Sequence, residues 1–406
     1  MRDAIIVLNA GSSSLKFSVY AVHPQERQSQ DEQLEVVVKG QIEGLGTSPR
    51  FKAKDASGKV LAETSPASEG RKFGHPQAFA YLADWIREQF RSSLAPIAVG
   101  HRVVHGGLDY GKPTVITPEV MQKLEQLVPL VPLHQPHNLN GIRAVLELNS
   151  TIPQVACFDT AFHRCRAEVT ERLGLPDEYF RKGVRRWGFH GLSYDSISSE
   201  FRKLAPDVAS GRVIVAHLGS GSSMCAMLNG KCVDTTMGFS ALDGVPMGTR
   251  CGSLDPGAVL FLMQDMSARQ IEDMLYKRCG LLGISGVSND VRALLESKEP
   301  LAAKAMEYFV YRAVREIGSL TAALNGLDAL IFTAGIGENS PVIRERICRG
   351  LGWLGINISD DANQRAQLCI TPKGSKPSVW VIPTDEEGVI ARQTRQAIAE
   401  LPAATA

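Results

Sequence analysis

Twice along the chain an apolar run, a turn of glycine and serine and a second, alternating run follow one another. Ile5-Ile6-Val7-Leu8 passes through Asn9-Ala10-Gly11-Ser12-Ser13-Ser14 into Leu15-Lys16-Phe17-Ser18-Val19, and Val213-Ile214-Val215-Ala216 passes through His217-Leu218-Gly219-Ser220-Gly221 into Ser222-Ser223-Met224-Cys225-Ala226-Met227. Each reads as a β-hairpin, and a repeated hairpin predicts a repeated domain. After the first copy, valine-rich residues 34–42 read as a strand, and residues 50–61 alternate across the turn signal Asp55-Ala56-Ser57-Gly58. Apolar spacing predicts a helix over residues 76–90 and strands over 97–104 and 154–158, while Thr117-Pro118-Glu119 has the make-up of a helix start.

The second half repeats this order, with strands over residues 212–217, 223–228 and 231–235, a helix over 301–324 and strands over 329–333 and 379–382. The pattern predicts two α/β domains with mixed sheets flanking a nucleotide cleft. The first spans residues 1–150 and takes back a C-terminal helix, 386–406; the second spans 151–385. The polar, glutamine-containing residues 22–34 read as an exposed loop.

Charge removes several partners from consideration. Basic residues number 44 and acidic residues 43, for a formal +1, so no global field favours nucleic acid or an anionic membrane. No apolar run approaches the ~18 residues of a membrane span, and residues 5–8 are too short for a signal-peptide core, so a soluble cytoplasmic protein is expected. The eight cysteines form no C-x-x-C pair and several lie in apolar runs, which points to buried free thiols rather than disulfides or zinc.

Bare backbone N–H groups beside small hydroxyls suit a phosphate lying close to the main chain, so both glycine turns are candidate phosphate contacts. Gly106-Gly107-Leu108-Asp109-Tyr110-Gly111-Lys112 begins like a P-loop, but Pro113 stands where a magnesium-binding hydroxyl is needed, and a surface turn is expected instead. Thr333-Ala334-Gly335-Ile336-Gly337-Glu338-Asn339-Ser340 leaves a strand and enters a helix, as nucleotide-binding turns do. Asp290-Val291-Arg292 either holds a ribose or base or forms a surface ion pair, and Thr384-Asp385-Glu386-Glu387 either binds a metal or complements a helix dipole. His101 and His105 lie about 13 Å apart on a strand, too far to share a metal. His134 and His137 read as structural hydrogen bonders.

Seven segments in order carry a resemblance along essentially the whole chain. They are residues 9–17, Gly100-His101-Arg102-Val103-Val104-His105-Gly106-Gly107, Phe158-Asp159-Thr160-Ala161-Phe162-His163, Gly188-Phe189-His190-Gly191, Met247-Gly248-Thr249-Arg250, Gly335-Ile336-Gly337-Glu338-Asn339 and Pro383-Thr384-Asp385-Glu386-Glu387. Together they resemble the acetate kinase family, ATP-dependent kinases of short-chain carboxylates. The resemblance implies a duplicated ribonuclease H-like fold, shared with actin, Hsp70 and sugar kinases, and a homodimer. It implies ATP or ADP as co-substrate, with Mg2+, or Mn2+ in its place, held by Asn9 and Glu386. Lys16, His217, Leu218, Gly219, Ser220, Gly221, Asp290, Val291, Arg292 and Gly335 to Asn339 (Gly335, Ile336, Gly337, Glu338, Asn339) correspond to nucleotide-binding positions. Arg102, Val104, Leu133 and Phe189 correspond to substrate contacts, and Asp159, His190 and Arg250 to catalytic ones.

Three departures from the family pattern stand out. Ser220 replaces an asparagine in the second glycine turn, Ala241 a proline near the acyl pocket, and Asp385 an asparagine before Glu386. The implied reaction converts acetate and ATP to acetyl phosphate and ADP, with propionate as alternative acceptor. A short carboxylic acid is already ionised at pH 7, so catalysis must overcome repulsion between two anions rather than remove a proton. Asp159 then serves best by orienting an arginine or a metal-bound water. A nucleotide-driven switch of the same fold, and a sugar kinase using Asp159 as base, are the rival classes.

Overall fold

Runs of alternating and fully apolar residues become thirteen strands. The structure, a computed structural model, describes residues 1–11, 13–23, 34–66 and 73–401, and the chain divides into two compact units, Met1–Ala161 with Asp385–Ala406, and Phe162–Thr384. The first unit holds β1 (Arg2–Ala10), β2 (Ser14–Val22), β3 (Leu34–Glu43), β4 (Arg50–Asp55), β5 (Val60–Thr64), β6 (Leu94–Val103), β7 (Thr114–Val115) and β8 (Gln154–Phe158). They form one sheet in the order β5-β4-β3-β2-β1-β6-β8-β7. β1 to β5 pair antiparallel in succession, whereas β6 runs parallel to both β1 and β8.

The middle strands read as unbroken apolar runs because both faces are covered. Ala4, Leu8 and Val99 join the core under the helix His75–Phe90, where Phe51 meets Trp85 edge to face at 5.0 Å. On the other face the helix Glu386–Ala399 lies so close that a Cβ on Gly100 would stand 2.2 Å from Thr394 Oγ1.

The second unit holds β9 (Arg212–Leu218), β10 (Ser222–Leu228), β11 (Lys231–Thr235), β12 (Ala329–Thr333) and β13 (Ser378–Val381), in the order β11-β10-β9-β12-β13. β9 pairs antiparallel with β10 and parallel with β12, and β12 runs parallel to β13. This matches β3-β2-β1-β6-β8 strand for strand, so the ribonuclease H-like sheet occurs twice. The helix Pro300–Ala323 covers one face with Phe309 and Ile317, and Gly191–Leu204 covers the other with Tyr194, Ile197 and Phe201.

Some expectations shift. A boundary at residue 150 would part β8 from β6, beside which it lies with Arg102 opposite Cys157; the first unit instead continues to Ala161. Gly106 and Gly107, expected at the surface, are buried, and Leu108, Asp109 and Lys112 of that turn are exposed. The loop expected over residues 22–34 lies outside the described residues at 24–33, as do Ser12 of the first turn and 402–406 of the C-terminal segment. All eight cysteines are free, with Cys157, Cys225, Cys232 and Cys348 buried and Cys165 exposed. Among the described residues no helix is long and apolar enough to cross a membrane.

Candidate active site

In the first unit the predicted residues meet at the C-terminal ends of β1, β6 and β8 and at the start of the helix Glu386–Ala399. In open α/β sheets this end of the parallel strands receives ligands. Asn9 near the end of β1 stands opposite Lys16 on β2. Arg102 and Asp159 sit on adjoining strand ends, fixed by the Asp159 N–H, which donates to the Val103 carbonyl at 3.1 Å. The Arg102 guanidinium turns its Nε and Nη2 to the Asp159 carboxylate at 2.6 to 3.1 Å and its Nη1 to Asn9 Oδ1 at 3.4 Å. Burial works against the Arg102 charge, but Asp159 and Glu386 outweigh it and hold the guanidinium protonated above its usual range.

Glu386 stands in the first turn of its helix. Burial raises its carboxyl to about 7, with Arg102 opposing and Asp159 and Glu387 adding to the rise. The oxygens of Asn9 and Glu386 are the hard donors that magnesium takes, and a dication would supply the positive charge that burial denies Glu386. Asp385, just before it, pairs with Lys39 at 2.6 Å.

The backbone after β6 is held by two side chains that the sequence pattern did not single out. Buried Asn138 accepts from the Val104 N–H at 3.1 Å and donates to the Ala10 carbonyl at 3.0 Å. Buried Gln135 accepts from the His105 N–H at 3.2 Å and donates to the His105 carbonyl at 3.1 Å. Gln135 and Asn138 stand three apart at the start of the helix Gln135–Leu148 and so share a face, a spacing that the histidines beside them, His134 and His137, overlap. Val104 is buried and Leu133 half-buried in the turn before that helix.

The second unit gathers the remaining candidates around its glycine turn. His190, in the left-handed region at φ 59°, precedes the helix Gly191–Leu204. Its ring stacks on His217 with centroids 4.3 Å apart. His190 Nδ1 lies 2.8 Å from Ser223 Oγ, which meets Tyr194 Oη at 2.5 Å, and His217 Nδ1 lies 2.8 Å from Ser193 Oγ. Serines and a tyrosine on apolar elements carry no sequence signal of this role.

A Cβ on Gly221 would come 2.8 Å from Arg250 Nη2 and 3.4 Å from His190 Nε2, so this glycine lets both side chains close on the turn. Arg250 Nη1 donates to the Ala241 carbonyl at 2.8 Å, and the Ser220 carbonyl accepts from the Gly248 N–H at 3.2 Å. Phe189 and Ala241 are buried, and the Phe189 carbonyl accepts from His163 Nε2 at 3.0 Å.

The other nucleotide candidates differ in what they offer. Asp290 caps the helix Val291–Glu296 and pairs with Arg292 at 2.8 Å, while the Arg292 side chain is 86% exposed. Glu338 turns inward, accepting from the N–H groups of Ala334 at 2.8 Å and Thr384 at 3.3 Å. Gly335 is open, and nothing lies within 4 Å of an added Cβ.

The family of phosphotransferases that this fold and these residues define is confirmed by comparison. The acetokinase family model matches residues 4–392. The acetate kinase of Nitrobacter hamburgensis is 48% identical over 394 residues, covering 97% of this chain and 95% of the relative. A propionate kinase from Francisella tularensis superposes with a TM-score of 0.87 at 34% identity, over 97% of this chain and 99% of its own. The acetate kinase of Porphyromonas gingivalis gives a TM-score of 0.84 at 34% identity, over 98% and 100%. The chain belongs to the acetokinase family, whose reaction uses ATP and ADP.

Proposed function

We propose that this protein phosphorylates acetate with ATP, reversibly giving acetyl phosphate and ADP, by direct in-line transfer to the carboxylate. The observation that carries the reading is the Arg102 guanidinium, held by Asp159 through Nε and Nη2 at 2.6 to 3.1 Å with Nη1 turned to Asn9 at 3.4 Å. A guanidinium fixed in this way is preorganised to bind an anionic acceptor, and orienting it relieves Asp159 of any need to act as base.

His190 and Arg250, drawn together by Gly221, supply positive charge and hydrogen bonds to the transferring phosphoryl oxygens, so a loose transition state gains more than the ground state. Ser223 and Tyr194 fix the His190 ring, and Ser193 fixes His217. Asn9 and Glu386 would hold magnesium, or manganese in its place, which supplies Lewis-acid neutralisation of phosphate charge. The backbone at residues 217–221, with Asp290 to Arg292 and residues 335–339, binds the nucleotide, and Lys16 reaches its phosphates. Val104, Leu133 and Phe189 form apolar contacts for the methyl end of the acid. The family resemblance supports a homodimer and a cytoplasmic setting.

Acyl phosphate trapped by hydroxylamine tests the reading, in the presence of ATP, magnesium and a panel of acids and sugars. Hydroxamate formed with acetate is the expected result. ATP hydrolysis independent of any acceptor would favour a nucleotide switch instead, and a sugar phosphate would favour a hydroxyl kinase. Transfer from chiral γ-phosphate should proceed with inversion; retention would require a phospho-enzyme, as on Glu386.

A further inference from the structure

We propose that His163, Cys225 and Cys232 form a binding site for a soft monovalent metal ion, copper(I), in the second unit. One ligand atom from each lies within 4.8 Å of the others, and all three residues are buried. His163 Nδ1 stands 3.1 Å from Cys232 Sγ, which is 3.5 Å from Cys225 Sγ.

The convergence is built by the sheet. β10 and β11 pair with Cys225 opposite Thr235, but a register shift after Ala226 sets Met227 opposite Cys232. In uninterrupted pairing Met227 would face residue 233, and Cys232 would point to the opposite side. The bulge therefore turns Cys232 onto the face that carries Cys225.

The histidine is oriented as a metal ligand. Its Nε2 lies 3.0 Å from the Phe189 carbonyl, which only accepts, so Nε2 carries hydrogen and donates. A ligating imidazole characteristically makes this bond to a carbonyl through its other nitrogen, leaving Nδ1 toward the metal.

Charge and donor number choose the ion. Arg166, buried, donates to the carbonyls of His163, Arg186 and Trp187 at 3.0, 2.5 and 3.0 Å; its Nη1 is buried without a partner, and no described carboxylate accepts from it. Two thiolates and one copper(I) carry a net negative charge that this guanidinium offsets, whereas a dication would neutralise the thiolates and leave Arg166 uncompensated. Two sulfurs and one nitrogen suit copper(I), and structural zinc takes four ligands. The exposed thiol of Cys165 donates to the Cys232 carbonyl at 3.5 Å. On binding, each ligating thiol gives its proton to solvent, and no electron is transferred.

The test is anaerobic titration of the reduced full-length protein with copper(I) supplied as its bathocuproine disulfonate complex. One equivalent per chain should move to the protein, and Cys225→Ser with Cys232→Ser should weaken uptake by at least about 100-fold. No transfer, or equal transfer to the double variant, would overturn the site. X-ray absorption on the wild-type complex needs no variant to fold: two sulfurs and one nitrogen are expected, and a shell lacking either element rules the proposal out.

Discussion

Asp159 grips Arg102 at the joined ends of β8 and β6, with Nη2 to Oδ2 at 2.6 Å and the carboxylate only 2% exposed. Asp159→Asn keeps the size but removes the charge that directs the guanidinium. Steady-state kinetics should show kcat lower by about 10²-fold, the scale at which small misplacements act. Unchanged kcat in a folded variant would show that Asp159 does not orient the acceptor site.

Arg250 and Gly221 form a second linked pair. Arg250→Ala should lower kcat by about 10³-fold, by analogy with arginine fingers. Gly221→Ala places a methyl 2.8 Å from Arg250 Nη2, the mobile end of a long side chain, so the thermal midpoint should hardly move while kcat falls. A fall in stability with kcat preserved would reverse this assignment.

His101 supplies a pH dependence. Burial lowers its pKa from 6.5 to about 4 despite the hydrogen bond with Gln154 at 2.7 Å. Between those values the unfolded chain binds the extra proton, so stability is complete above about 6.5 and is lost as pH falls toward 4. Relative to His101→Gln, the wild type should lose about 3 kcal/mol across that window in denaturant titrations. Parallel curves for the two proteins would exclude the effect.

Gly100 permits the C-terminal helix to dock. A methyl there would meet Thr394 Oγ1 at 2.2 Å and Ile390 Cγ2 at 2.7 Å, and over-packing of this kind costs about 1 to 3 kcal/mol. Because Glu386 begins that helix, Gly100→Ala should lower both the unfolding midpoint and kcat. Wild-type values for both would mean the helix docks without this close approach.

Ala241 is buried, and the resemblance, which sets a proline at this position, makes it a candidate determinant of acyl-chain preference. One methylene is worth about 1 to 3 kcal/mol in an apolar pocket, so Ala241→Pro should reduce kcat/KM for propionate relative to acetate by about tenfold. An unchanged ratio would remove position 241 from substrate choice.

By itself the sequence determined the duplicated hairpins, the helices His75–Phe90 and Pro300–Ala323 and the segments that carry the family resemblance, because these depend on local periodicity and on glycine, serine and proline in particular turns. Even the strands buried on both faces showed as apolar runs. Only tertiary structure decided that Asp159 holds Arg102, that Gly221 admits Arg250 and His190, and that Glu338 turns inward. It also placed Gln135 and Asn138 beneath the backbone of Val104 and His105, and one bulge aligned Cys225 with Cys232. These contacts join residues far apart in the chain, and a side chain's partner is set by strand order, register and burial rather than by its neighbours in sequence.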